Sequence, residues 1–182
     1  MIPLSKPSLD ERELEAVKRV MEDGCVAGTC PEVEKFEKEL AAFVGSKYAV
    51  ATSSATAALH LACMAMNVNR YSRVVCPSYT FPATANAPLY CGCNDVRIMD
   101  VNGETFNIDE NISLAIFRNP DVIIPVHCFG NPCDMKMIKD YADSKRASII
   151  EDAACSIPAY SNSKHAGVIG DAGVYSFYGI KN

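Results

Sequence analysis

Apolar residues in the first part of the chain recur at helical spacing. Leu14, Val17, Val20 and Met21 fall on one face; Ser8 with Glu11 three residues on forms a capping box ahead of them, and Gly24 supplies a stop. A second helix is expected from Pro31, a favoured first-turn residue, with Val33, Phe36, Leu40 and Phe43 as its stripe and Gly45 as its end. The pattern then changes to short apolar runs. Tyr48–Ala51, Val74–Cys76, Val96–Val101, Val122–Val126 and Ser148–Asp152 read as buried strands, and helices are expected over about 55–66, 82–90, 108–117 and 133–146. This alternation predicts an α/β fold, a mainly parallel sheet with helices on both faces. Such sheets bind ligands at the carboxyl ends of their strands, so polar residues just past a strand carry most weight. With no repeat, low-complexity tract or linker, residues 1–182 read as one domain.

Composition narrows the class. The chain has 182 residues, 49% apolar and 21% charged, as in soluble globular proteins. No apolar run approaches membrane-spanning length, and the start lacks the apolar segment of a secretion signal. A net charge of −5 without a Lys/Arg cluster speaks against a nucleic-acid surface. Nine cysteines, an odd number without a Cys-x-x-Cys pair, speak against a paired zinc site, and no metal is expected. Several lie in apolar runs, such as Cys63 and Cys76, and read as reduced, buried small hydrophobes. That usage points to the cytoplasm.

Five features could carry chemistry, each with a plain alternative. Thr52-Ser53-Ser54-Ala55-Thr56 leads from a strand into a helix; its hydroxyls and helix amides suit a phosphate, or simply cap the helix. Asp152 ends an apolar strand, where its carboxylate either meets a cation such as a protonated pyridine or caps the next segment. Phe81, after the strand ending at Cys76, could stack on a planar ring or belong to the core. Lys181 follows a strand-like run and Ser176; in a dry pocket a lysine is a nucleophile toward carbonyls, and otherwise it is a solvated cation. His127 ends a strand and reads either as a hydrogen-bonded structural residue or as a base.

Taken in order, these features resemble the DegT/DnrJ/EryC1/StrS family of sugar aminotransferases, enzymes of the fold-type-I class that use pyridoxal phosphate (PLP). The resemblance runs along essentially the whole chain. Ile2-Pro3-Leu4-Ser5-Lys6-Pro7 is similar to the family's opening, and Ser54-Ala55-Thr56-Ala57-Ala58-Leu59 to its Ser-Gly-Thr-Ala-Ala-Leu. Pro125-Val126-His127 with Gly130 and Asp134 is similar to another block. Glu151-Asp152-Ala153-Ala154 and Ser176-Phe177-Tyr178-Gly179-Ile180-Lys181-Asn182 match its two most specific segments. The resemblance implies that Lys181 is the Schiff-base lysine and shuttles the proton, that Asp152 keeps the pyridine nitrogen protonated, and that Phe81 stacks on the ring. It further implies that Ser54, Ala55, Thr56 and Ser176 hold the phosphate, and that Cys155 lies beside the cofactor. The implied substrates are a nucleotide-linked keto-sugar and an amino-acid donor, usually glutamate, handled by a homodimer in the pathways of amino sugars and surface polysaccharides.

The chain departs from the family pattern in places. Ala55 stands for a usual Gly, Cys155 for a Gln or His, and Cys25 for a common aromatic. Family members continue well past the lysine into a small C-terminal domain, so the fold is expected to be incomplete at the C-terminus. The second reading is therefore a truncated, non-catalytic module that keeps the fold without turnover. A dehydratase branch of the same fold carries histidine in place of the lysine, and Lys181 points away from it.

Overall fold

The computed structural model describes residues 7–25, 27–109, 119–179 and 181. The chain divides into two compact units, Met1–Ala51 with Tyr178–Asn182, and Thr52–Phe177.

The first unit carries two helices, α1 (Glu11–Glu22) and α2 (Pro31–Val44). The capping box of α1 is formed by Asp10 and Glu13 rather than Ser8 and Glu11. Both pairs fit the pattern. Asp10 adds a carboxylate that accepts from the Arg12 amide and pairs with the Arg12 guanidinium at 2.8 Å, which a serine cannot do. Pro31 opens α2 and Gly45, at φ 76°, closes it in the left-handed conformation that glycine adopts freely. Between the helices a turn closed by Cys30 N–H donating to Ala27 brings Cys25 and Cys30 to a Cα separation of 5.8 Å, and the two are joined as a disulfide. The expectation of reduced thiols is corrected for this pair; Cys63 and Cys76 are free and buried, as expected. The expected strand Tyr48–Ala51 joins no ladder among the described residues. An apolar run supplies side chains but not the neighbouring backbone a strand needs, and the Ala51 amide donates to the Glu37 carboxylate instead.

The second unit is the α/β body. Its elements are α3 (Ala55–Ala65), β1 (Arg73–Pro77), α4 (Ala83–Tyr90), β2 (Asp95–Met99), β3 (Val122–Ile123), α5 (Met135–Lys145), β4 (Ser148–Asp152), the hairpin strands β5 (Tyr160–Ser161) and β6 (Lys164–His165), and β7 (Ala172–Val174). Strands β2, β1, β3, β4 and β7 lie in that order, every pair parallel. Side-chain alternation sorts the core onto two faces. Val74, Cys76, Val122, Ile124, Ile150 and Val174 pack with Leu59 and Cys63 of α3 and Ala83 and Ala87 of α4. Val75, Ile123 and Ile149 pack on the other face with Met135, Ile138 and Ala142 of α5. Helices thus cover both faces, as the apolar runs of Val74–Cys76 and Ser148–Asp152 predict.

The other boundaries shift for local reasons. The run Val122–Val126 stops as a ladder at Ile123 because Pro125 has no amide to donate; Val126 then makes an isolated parallel bridge to Asp152. The run Val96–Val101 pairs from Asp95 to Met99, and Val101 forms an antiparallel bridge to Ile108. Most of the helix expected over 108–117 lies outside the described residues. Among the described residues no helix is long and apolar enough to cross a membrane.

Burial of thiols has a pH consequence. Burial, with the Cys91, Cys93 and Cys76 thiols nearby, pushes Cys63 up to about 12, and burial does the same for Cys76. A group whose pKa is raised on folding contributes stability that is intact below its unfolded value and is lost as pH rises toward the folded one. The thermal midpoint is therefore expected to fall between about pH 9 and pH 12. A Cys63→Ala, Cys76→Ala double variant with an unchanged alkaline slope would rule the thiols out as the cause.

Candidate functional site

β4 ends in two acidic residues that alternation sends to opposite faces. Asp152 is 5% exposed on the face of α3 and α4, and Glu151 is wholly buried on the other. The Asp152 Oδ2 atom accepts from the Thr84 hydroxyl at 2.7 Å, and Oδ1 accepts from the Ala154 amide at 3.2 Å. Thr84 lies in the first turn of α4 and has no exposed surface; its Oγ1 is also 2.7 Å from the Thr80 hydroxyl. Both donors to Asp152 named here are neutral, so the carboxylate's charge is not cancelled by them.

Phe81 lies between Thr80 and α4, and its carbonyl accepts from the Thr84 amide. It is 68% exposed, so it is not a core residue. At the start of α3, Ser54 is the N-cap and its Oγ accepts from the Ala57 amide at 3.1 Å. The Ser54 carbonyl takes the Ala58 amide, which leaves the first-turn amides of Ala55 and Thr56 at the helix's positive end, outside the helical ladder. Ala55 packs on the same apolar cluster as Val174 of β7, and Ser176, buried, follows β7 by two residues. Cys155 is half-buried three residues past Asp152. Burial, then the neighbouring Cys155 and Asp152, push the Cys128 thiol up to about 11, so Cys128, Cys155 and Asp152 share one neighbourhood.

Within the second unit the fold thus carries Ser54, Ala55, Thr56, Phe81, Asp152, Cys155 and Ser176 at or just beyond the ends of their strands and helices. Lys181 belongs to the first unit. It is half-buried and its amide donates to the Tyr178 carbonyl at 2.8 Å.

His127 is a hydrogen-bonded structural residue. The Cys133 amide donates to its Nδ1, which assigns the ring proton to Nε2, and Nε2–H donates to Glu151 Oε2 at 3.0 Å. Glu151 also accepts from the amides of Gly167, Ile169 and Gly170 at 2.6–2.8 Å. Burial raises its pKa, but the hydrogen bonds from His127, Gly170 and Gly167 outweigh that and hold the carboxyl below the ordinary value. The loop lies so close that a Cβ on Gly173 would collide with the Gly167 carbonyl, and one on Gly170 would come within 2.7 Å of Ile149.

Sequence reasoning missed Thr84, Thr80 and the amide cradle of Glu151. Thr80 and Thr84 follow a strand end by a few residues, and that position was the available signal.

The residues present fit a phosphorylated pyridine. Hydroxyls and helix amides suit a phosphate dianion. A buried carboxylate with neutral hydrogen-bond donors suits a protonated ring nitrogen, and an exposed aromatic suits a ring face.

Residues 7–182 match the model of the DegT/DnrJ/EryC1/StrS aminotransferase family. The chain is 37% identical over its whole length to the spore coat polysaccharide biosynthesis protein SpsC of Bacillus subtilis, covering 46% of that protein. It is 32% identical over its whole length to GDP-perosamine synthase of Vibrio cholerae, covering 49% of it. Among solved structures, Spr1654 of Streptococcus pneumoniae, a candidate sugar aminotransferase, superposes with a TM-score of 0.92 in its PMP form and 0.89 in its PLP form. Identity is 25%, with 99% of this chain and about half of that one covered. The chain spans about half the length of these relatives.

Proposed function

The chain belongs to the DegT/DnrJ/EryC1/StrS aminotransferase family, and from that membership we propose that it carries the cofactor site of a PLP-dependent enzyme. The reaction proposed is transfer of an amino group from glutamate to a keto-sugar linked to a nucleotide, by a homodimer in the cytoplasm. The observation that carries the reading is the buried Asp152 carboxylate at the end of β4, held by the neutral Thr84 hydroxyl. The name GDP-perosamine synthase, a nucleotide-linked amino sugar as product, supports the substrate class.

PLP, when bound, supplies a carbonyl that exchanges for an amine and a ring that accepts electrons. Asp152 would hold a proton on the ring nitrogen. The amides of Ala55 and Thr56, the hydroxyls of Ser54, Thr56 and Ser176 and the dipole of α3 would bind the phosphate. Phe81 would cover one ring face and exclude water from it. Cys155 would lie beside the ring, where its thiol offers weaker hydrogen bonding than the Gln or His common in the family. The Lys181 amine would attach the cofactor and move a proton at the reacting carbon.

Borohydride treatment of the chain with PLP is expected to fix the cofactor covalently on Lys181, read as a mass increment on the peptide that contains it. Lys181→Ala should lose the increment. Capture at another lysine, or none, overturns the assignment. Capture without amino transfer from glutamate to any nucleotide keto-sugar would instead favour a module that binds cofactor but does not turn over.

A further inference from the structure

We infer that Thr84 is a positioning residue for the cofactor's ring nitrogen, acting through Asp152, with Thr80 behind it. This rests on the reading above that Asp152 faces that nitrogen. A hydroxyl has one proton, and an ionised carboxylate only accepts. Thr84 Oγ1, 2.7 Å from Asp152 Oδ2, therefore donates to Asp152. Thr80 Oγ1, 2.7 Å from Thr84 Oγ1, then has to donate to Thr84. The direction of both protons is fixed by the charge at the end of the chain. Each bond polarises the next, so the relay makes Thr84 a stronger donor than an isolated hydroxyl.

Two further observations single Thr84 out. It has no exposed surface, so water cannot take over its role, and it sits in the first turn of α4 rather than on a mobile surface loop. With the Ala154 amide on Oδ1, its bond to Oδ2 holds the carboxylate from two directions and fixes its plane. The Cys128 thiol, which is in electrostatic contact with Asp152, has its pKa pushed up to about 11 and is neutral at physiological pH. Cys155, a second thiol, lies in the same neighbourhood. The hydroxyl relay thus favours the ionised carboxylate, and the ionised carboxylate favours a protonated ring nitrogen.

The test is nitrogen-15 NMR of the chain loaded with PLP labelled at the ring nitrogen, titrated with pH. The wild type should show a protonated nitrogen through neutral pH, and Asp152→Asn should lose it. Thr84→Val, close to isosteric, should free the carboxylate from its plane and shift the pH at which the nitrogen deprotonates by about 1 unit, roughly a tenfold change in proton affinity. Thr84→Ser should restore the wild-type value. Thr80→Val should shift it the same way by less, and it decides the matter if Thr84→Val does not fold. An unprotonated nitrogen in the wild type, or one indifferent to Asp152→Asn, sinks the proposed cofactor reading itself. A nitrogen that depends on Asp152 but is unmoved by Thr84→Val, or by Thr80→Val in its place, overturns the relay alone. So does a serine variant that behaves like valine.

Discussion

Glu151→Gln is expected to destabilise the chain by about 3–5 kcal/mol at neutral pH, the usual cost of breaking a buried charged network. The substitution changes almost no volume, so no cavity contributes. Its cost comes from hydrogen-bond polarity. Oε1 accepts from Ile169 and Gly170, and Oε2 accepts from Gly167 and His127. A glutamine has one oxygen and one NH₂ group. Whichever way it turns, two buried donors face a third, and each orphaned donor costs about 1–3 kcal/mol. The loop has little room to rearrange around the amide, because Gly167 lies against Tyr175, Gly170 against Ile149 and Gly173 against Gly167.

The pH dependence has a definite sign. The folded carboxyl lies below its ordinary value of 4.5, so its contribution is present above that value and is lost as pH falls through the lower folded one. Urea unfolding at pH 7 should show the full gap between wild type and variant, and the gap should close in acid. A gap below about 1 kcal/mol at pH 7 would mean that the amide cradle is loose. The loop leads into β7 and on to Ser176, so the damage is expected to reach the proposed phosphate site as well.

The sheet was legible in the sequence where burial on two faces demands it. Val74–Cys76 and Ser148–Asp152 are continuous apolar runs because both sides of a central parallel strand are covered. Tyr48–Ala51 reads the same way and yet pairs with nothing among the described residues, since a side-chain pattern carries no information about a backbone partner. The β5–β6 hairpin went unseen, although Asn162 and Ser163, both at positive φ, are residues that suit such a turn. In the site, Ser54 and Asp152 were legible because each marks the end of an element. Thr84 was not, because its partner is 68 residues away and only the fold brings them together. The same holds for the rings of Tyr79, Phe106 and Phe129, which gather with centroids 5.1–6.0 Å apart from the loops that follow β1, β2 and β3.

Asp152→Asn is expected to weaken PLP binding about 10- to 100-fold, the worth of a charge-assisted hydrogen bond at about 1.5–3 kcal/mol, and to leave the fold nearly intact. The two effects separate because the Thr84 hydroxyl and the Ala154 amide, which hold the carboxylate, are both neutral donors. An asparagine oxygen can still accept from Thr84, and of these two contacts the longer one, with the Ala154 amide, is given up. What disappears is the negative charge. A ring nitrogen facing an amide has no reason to keep its proton, and without that proton the ring draws electrons poorly from the reacting carbon. Loss of amino transfer should therefore exceed loss of binding, because the charge is worth most when electrons move toward the ring. Fluorescence titration with PLP gives the first quantity and thermal unfolding the control. An asparagine variant that binds PLP as tightly as the wild type would show that Asp152 serves α4 through Thr84 and not the cofactor. A variant that fails to fold would show that the carboxylate is needed first by the sheet and helix around it.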